Sequence, residues 1–183
     1  MTKCAEVAAH ILTQLGYSSK EVELAKIAAF MHDIGNVVNR HDHAISGATM
    51  AFRILDKMGM EPADVAAVIT AIGHHDDSTA FPVNAVAAAL ILADKTDVRR
   101  SRVRNKDMAT FDIHDRVNYS VERSEVLLDV PGRTVTLSLS INTQVCAVMD
   151  YFEIFLQRML LCRRAAEALE LKFRLEINGQ ILL

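Results

Sequence analysis

The N-terminal half of the chain carries apolar side chains at three- and four-residue spacings, the pattern of helices that bury one face. This pattern predicts five helices, at about residues 3–15, 19–33, 43–58, 62–74 and 83–104. Gly16 follows the first helix as a stop signal, and Ser18 and Glu21 have the spacing of a capping box before the second. Pro62 suits the first turn of the fourth helix. The N-terminal half is therefore predicted to be a helical domain.

The pattern changes after about residue 107. Ser124–Val130 and Thr134–Ile141 alternate apolar and polar side chains, as strands do, and Pro131-Gly132-Arg133 between them predicts a hairpin turn. A long helix is predicted over about 143–169, followed by a second hairpin that turns at Asn178-Gly179. We predict a mainly α fold, with a helical domain over residues 1–107 and a C-terminal α+β subdomain over 108–183. The His114-Asp115 pair, near the start of this subdomain, is interpreted as a linker or interface element.

Composition narrows the class of protein. The 183 residues are 51% hydrophobic but only 5% aromatic, with no Trp, which favours closely packed helices. A net charge of −3 argues against a nucleic acid polymer or a membrane surface as partner. No apolar run is long enough to span a membrane, and no signal peptide is recognisable at the N-terminus. Three Cys without paired spacing (Cys4, Cys146 and Cys162) are typical of reduced thiols, so we expect a cytoplasmic protein.

Four short stretches place imidazoles and carboxylates at helix ends or within an apolar helix. They contain His32-Asp33, His43, His74-His75 and Asp94. A single His on an apolar face is usually a packed core residue, so the argument rests on the ordered set. Asp94 lies inside an apolar helix, where a buried carboxylate is costly unless it is paired or binds a metal. Gly47, four residues after His43, would let another backbone approach that imidazole. The set predicts one or two divalent ions of Fe, Mn, Ni, Co or Zn.

In this order the six residues resemble the ligand series of the HD superfamily of metal-dependent phosphohydrolases. The stretch MHDIGN (31–36) is similar to the family's central motif. The stretches HAISGA (43–48) and HHDD (74–77) are similar to the additional ligand motifs of its dinuclear branch, which includes the HD-GYP cyclic-di-nucleotide phosphodiesterases. The resemblance covers about residues 1–105 and implies an all-helical core holding one or two metals.

The resemblance also implies a mechanism. Asp33 would bridge two ions, with the remaining His and Asp residues of the set completing the ligand shells. A water shared by the ions would lose its proton near neutral pH and attack phosphorus in line, cleaving the phosphoester of a nucleotide or another small phosphate compound. Asp76 or Asp77 could protonate the leaving oxygen, although either could equally be a helix-end acid.

A basic run follows Asp94. Lys95, Arg99 and Arg100 are candidates for contacts with the substrate phosphate, because guanidinium groups fit phosphate oxygens and Lys adds a point charge. The alternative for most of this run, including Arg102 and Arg104, is a solvated face paired with nearby acids. The C-terminal subdomain shows no catalytic pattern, and its long helix is expected to pack on the helical core or to form a homodimer.

Two features depart from the family pattern. Asp76-Asp77-Ser78-Thr79 stands where a GYP-like motif would follow His75, which weakens a cyclic-di-nucleotide assignment. The resemblance also implies a first ligand His on the first helix, and matching Lys3 and Leu15-Gly16 to the family places it at Met1 or one residue earlier. The sequence then starts one residue late, or the site naturally lacks that ligand. His10 lies too far along the helix to replace it.

Two other functions fit the same residues. A mixed-valent di-iron oxygenase of the HD superfamily would use the same ligand set. A non-catalytic regulatory module would explain the absent first His and the large C-terminal part. Metal analysis and iron spectroscopy distinguish the oxygenase, and a phosphoester screen distinguishes the module.

Overall fold

A computed structural model describes residues 2–76, 80–103 and 105–182, apart from the side chain of Arg102. The N-terminal part contains the five predicted helices in order. They are α1 (Thr2–Gln14), α2 (Ser19–Met31), α3 (His43–Lys57), α4 (Pro62–Gly73) and α5 (Ala85–Lys95). A short 3-10 turn, Ile34–Val37, connects α2 towards α3. The mainly α fold predicted from the sequence is confirmed.

Local sequence signals fix several helix ends. Ser18 caps α2: its hydroxyl accepts the Glu21 amide at 3.2 Å, while the Glu21 carboxylate accepts the Ser18 amide at 3.0 Å. This reciprocal capping box was predicted from the spacing, and it satisfies backbone donors that the first turn leaves unpaired. Pro62 occupies the first turn of α4, as expected.

Helix α5 ends sooner than the sequence pattern predicted. It stops at Lys95 rather than continuing to Arg104, which itself lies outside the described residues. Thr96 follows as the cap, and its hydroxyl donates to the Leu92 carbonyl at 2.5 Å. The backbone is extended at Arg99 before a short 3-10 turn at Arg100–Arg102. Most of the basic run therefore leaves the helix that carries Asp94.

The C-terminal part contains α6 (Ile113–Ser120), β1 (Val121–Asp129), β2 (Thr134–Ile141), α7 (Val148–Ala168), β3 (Lys172–Ile177) and β4 (Gln180–Ile181). Both predicted hairpins form, and β2 pairs with β3 in parallel, so the strands make one sheet in the order β1-β2-β3-β4. The sequence pattern does not predict helix α6, because this stretch is interpreted as a linker or interface element. The Asp112 side chain caps it by accepting the Asp115 amide at 2.7 Å.

One continuous hydrophobic core joins these parts. Helix α7 packs against α5 and β3, and its Tyr151, Phe155 and Met159 are fully buried. Helix α7 therefore packs on the helical core, which is one of the two roles expected for it. The homodimer stays a prediction. Within the described ranges, no helix is both long and apolar enough to cross a membrane.

Candidate metal centre

Three buried imidazoles are held in a single tautomer by backbone carbonyls. The Nδ1 atoms of His32, His43 and His75 lie 2.7, 3.0 and 2.6 Å from the carbonyl oxygens of Ala29, Arg40 and Ile72. A carbonyl oxygen can only accept, so each Nδ1 carries the proton and donates it. In the neutral ring the lone pair then belongs to Nε2, the atom available to a metal.

The Nε2 atoms converge on two carboxylates. His32 Nε2 lies 3.5 Å from Asp33 Oδ2 and 3.5 Å from Asp94 Oδ1. His43 Nε2 lies 3.4 Å from the other oxygen of Asp33, Oδ1, and 3.2 Å from Nε2 of His75. The two oxygens of Asp33 therefore face different imidazoles, which is the arrangement of a carboxylate able to bridge two ions.

The protonation states differ among these groups. Burial lowers the pKa of His75 to about 4, so its ring is neutral at pH 7. Burial also opposes the charged form of His32, but the hydrogen bond and charge of Asp94 outweigh it and raise the pKa of His32. For Asp94, burial alone would raise the pKa, and the charges of Lys95 and His32 instead hold it well below its usual range. Asp94 is thus an ionised carboxylate inside the protein.

Lys95 neutralises the Asp94 carboxylate. Its Nζ lies 2.8 Å from Asp94 Oδ2, and only 5% of the Lys95 side chain is exposed. The other oxygen of Asp94 faces His32, as described above. Asp94 therefore shares its two oxygens between a fixed cation and the imidazole cluster.

Two glycines allow the elements that carry these residues to approach closely. A Cβ on Gly35 would clash with the His43 carbonyl oxygen and would lie 2.6 Å from the Gly47 amide nitrogen. A Cβ on Gly47 would lie 3.3 Å from the His32 carbonyl oxygen. The close backbone approach predicted for Gly47 is therefore present, and it sets His43 beside the His32-Asp33 pair.

The first turn of α1 lies beside the same cluster. Burial, followed by the charges of Asp94 and Asp97, raises the pKa of the Cys4 thiol, and Asp33 adds to the effect. Lys3 also reaches Asp97 at 3.8 Å. The first ligand His expected from the family pattern falls at this end of α1, but Met1 lies outside the described residues.

Two arginines that the sequence did not single out reach the same place. A small pocket with an accessible volume of about 20 Å³ is lined by Asp33, Arg40, His43, His75, Asp94, Lys95 and Arg158. Arg40 Nη1 lies 3.4 Å from His43 Nε2 and 3.6 Å from Asp33 Oδ1. Arg40 could have been identified from the sequence, because it lies three residues before His43. Arg158 comes from α7, and nothing in the local sequence connects it with the cluster.

The other predicted site residues are placed differently. His74 is half-buried with its Nδ1 2.9 Å from the Thr70 carbonyl, and within the described residues it contacts no other member of the predicted ligand set. Asp76 Oδ1 lies 3.9 Å from His43 Nε2, at the edge of the cluster. Asp77 lies outside the described residues. The roles of all three stay predictions.

Arg99 and Arg100 do not line the pocket and have other partners. Arg99 Nε lies 2.8 Å from Asp97 Oδ1. Arg100 donates to the Tyr119 carbonyl at 2.7 Å and places its guanidinium 4.5 Å from the centre of the Tyr119 ring. Since α5 ends at Lys95, both are carried away from the cluster, and substrate binding by them stays a prediction.

The geometry fits a metal. Ligand atoms of His32, Asp33 and His75 all lie within 4.8 Å of one another, with His43 and Asp94 adjoining them. When both rings are neutral, the Nε2 lone pairs of His43 and His75 face each other at 3.2 Å, and a cation near them would remove their repulsion. A set of imidazoles and carboxylates suits Fe, Mn, Ni, Co or Zn. Backbone carbonyls that orient each ring are the usual support for such ligands.

Comparison with known proteins agrees with this picture. The sequence profile of the HD domain family matches residues 1–153, a range that contains all six predicted ligands. Ribonuclease Y of Chloroflexus aurantiacus is 29% identical over 182 residues, an alignment that covers 98% of this chain. It covers 32% of Ribonuclease Y, so the chain spans about a third of the length of this curated relative. No solved structure matches the chain.

Proposed function

The chain belongs to the HD domain family, and from this premise we propose that it is a metal-dependent phosphohydrolase acting on a nucleotide or another small phosphate compound. The observation that carries the proposal is the convergence of three tautomer-fixed imidazoles on the carboxylates of Asp33 and Asp94. Such a set is poorly explained by packing alone, because it concentrates buried charge and repelling lone pairs in one place.

In the proposed reaction, different residues would bind the metal ions and donate the proton. His32, Asp33 and Asp94 would hold one divalent ion, and Asp33, His43 and the His74-His75 pair a second. Bound ions supply Lewis-acid activation of water and of the phosphate. Asp33, which offers one oxygen to each side, fixes the relative positions of the two halves of the site. Asp76, at the edge of the cluster, is the proposed donor of a proton to the leaving oxygen, with Asp77 as the alternative.

The identity of the substrate is part of the proposal. The lining of the pocket, with its metal-ligand set and three cations, supports a phosphorylated compound by its charge. The net charge of −3 offers no general attraction to a nucleic acid polymer. The similarity to a protein named Ribonuclease Y, which extends over nearly the whole chain, favours a second candidate, a phosphodiester bond in RNA.

A cytoplasmic location is proposed from the three free, buried cysteines.

The experiment uses the metal-stripped protein reloaded separately with Mn²⁺, Fe²⁺ and Ni²⁺. Each form is tested on mononucleotides, simple phosphomonoesters and phosphodiesters, and a short RNA, in water enriched in ¹⁸O. We expect metal-dependent release of phosphate or of a phosphomonoester carrying one solvent ¹⁸O atom. Turnover that needs O₂ and incorporates its oxygen would instead show the oxygenase. A loaded protein that turns over no phosphoester would contradict the proposal, and cleavage of RNA alone would select the second candidate.

A further inference from the structure

The C-terminal subdomain contributes a cation to the metal pocket. Arg158 on α7 lines this pocket together with Arg40, which precedes α3, and Lys95 at the end of α5. We propose that Arg158 binds a phosphate group of the substrate at this pocket, so that the C-terminal subdomain completes the active site. The inference rests on the proposed function and adds to it a substrate contact from outside the family's ligand motifs.

The packing of α7 fixes where Arg158 lies. Helix α7 packs along α5, and the neighbouring Met159 is fully buried. The guanidinium carbon of Arg158 lies 4.9 Å from the centre of the Phe155 ring, and Phe155 is itself buried. This cation–π contact restrains a long side chain that would otherwise lose much conformational entropy on binding a ligand. Arg158 is therefore held near the pocket before any substrate arrives.

The charges around the pocket favour an anion. Its described lining contains two carboxylates, Asp33 and Asp94, and three cations, Arg40, Lys95 and Arg158. Lys95 contacts Asp94 at 2.8 Å, and Arg40 lies 3.6 Å from Asp33. Divalent ions on the two carboxylates would add further positive charge, leaving the lining strongly cationic. A phosphate group matches that charge, and a guanidinium can bind two of its oxygens at once.

The three cations have different surroundings, which separates their roles. Lys95 is buried and bound to Asp94, so it acts mainly on that carboxylate. Arg40 is largely exposed and lies against Asp33 and His43, so its loss would disturb ligand positions. Arg158 lines the pocket from α7, an element that carries none of the predicted ligands. It is the cation whose removal can test phosphate binding with the least effect on metal binding.

The test measures binding of inorganic phosphate to the Mn²⁺-loaded protein by calorimetry, alongside KM and kcat for the best phosphoester. The variants are Arg158→Ala, Arg158→Gln and Arg158→Lys, and the matched control is Arg164→Ala, an exposed arginine on the same helix. Metal content and melting temperature are recorded for each. We expect Arg158→Ala and Arg158→Gln to weaken phosphate binding and raise KM about 10- to 100-fold, the loss typical of a charged hydrogen bond. Arg158→Lys should fall between them and the unaltered protein, and Arg164→Ala should match the unaltered protein.

The outcomes separate this inference from the proposed function. A protein that hydrolyses phosphoesters, and keeps its KM and phosphate affinity in both neutral Arg158 variants, would overturn the inference alone. A protein that binds phosphate through Arg158 but hydrolyses nothing would overturn the proposed function alone. Failure of the loaded, unaltered protein to bind phosphate would overturn the inference. Equal losses in Arg164→Ala would also overturn it, because the effect would then belong to the charge of α7 as a whole.

Discussion

The Nε2 atoms of His43 and His75 lie 3.2 Å apart, although each ring donates its only neutral-state proton from Nδ1 to a backbone carbonyl. Two lone pairs therefore face each other in the protein interior. Burial also lowers the pKa of His75 to about 4, so His75 does not relieve the contact by taking up a proton near neutral pH. A shared cation is the simplest partner for the two rings.

This relationship predicts the effect of removing either ring. His75→Ala should weaken binding of Mn²⁺ to the stripped protein by at least about tenfold, because a buried ligand beside His43 is lost from the cluster. His43→Ala should behave similarly. His41→Ala is the matched control, since the His41 side chain is 86% exposed and contacts Asp42. Titration followed by elemental analysis measures the change, and affinities equal to that of the control would contradict the assignment.

Metal affinity should depend on pH through His32. The carboxylates beside it raise the pKa of His32, so below that pKa the ring carries a proton on Nε2 and cannot bind a metal. Affinity should therefore increase as pH rises from about 6 to 8, with release of a proton on binding. His75, with a pKa of about 4, is already neutral throughout this interval and contributes nothing to the change.

Calorimetry in two buffers of different ionisation enthalpy counts the protons released by metal binding. A proton count near zero at pH 6, with an affinity that does not change up to pH 8, would contradict this prediction. It would show that metal binding does not require His32 to lose a proton. The same titration on His32→Gln, in which residue 32 cannot take up a proton, serves as the control and should show a smaller pH dependence.

The backbone contact between Gly35 and the start of α3 should be intolerant of a side chain. Gly35→Ala should lower the free energy of unfolding by about 1–3 kcal/mol, since its Cβ would meet the backbone of His43 and Gly47. Metal affinity should fall as well, because the clash displaces His43. Gly73→Ala is the control: its Cβ would lie 3.7 Å from Ala48 Cβ, an ordinary contact. Chemical denaturation of both variants gives the comparison, and equal stabilities would show that the contact is not restrictive.

Lys95 should stabilise the metal-free protein through Asp94. Lys95→Met keeps the aliphatic length but leaves the Asp94 carboxylate, which is only 16% exposed, without its cation, and should reduce the free energy of unfolding on the order of 3 kcal/mol. Added Mn²⁺ should recover part of this loss, since a metal on Asp94 replaces the missing charge. The exposed pair of Lys26 with Glu23 supplies a control, because Lys26→Met should change stability by less than about 1 kcal/mol. Equal stabilisation of Lys95→Met and the unaltered protein by metal would argue against this role.

Much of the helical part could be predicted because its signals are local. The spacing of apolar residues gave α1 to α4, and Ser18 with Glu21 marked the start of α2 as a capping box. The ligand residues could be proposed because they fall in short motifs at helix ends. Helix α5 was predicted too long, since an apolar run shows where a helix can form but the Thr96 cap and the extended backbone at Arg99 decide where it stops.

The remaining features depend on contacts between distant parts of the chain. Parallel pairing of β2 with β3 requires the intervening helix α7 to pack on α5, which no local pattern encodes. Helix α6 is short and polar on average, so its sequence resembles a linker. The sequence pattern does not single out Arg158 either, because this residue lines the pocket with Asp94 only once α7 has packed on α5.

Phosphate release by one preparation, measured before and after reloading with a known amount of Mn²⁺, tests the central claim most directly. The account predicts that activity is absent in the stripped protein, increases in proportion to bound metal, and stays at the buffer background in Asp33→Asn, whose amide cannot serve both sides of the site as a carboxylate does. Activity in the stripped protein equal to that of the loaded form, or an Asp33→Asn variant as active as the unaltered protein, would contradict it.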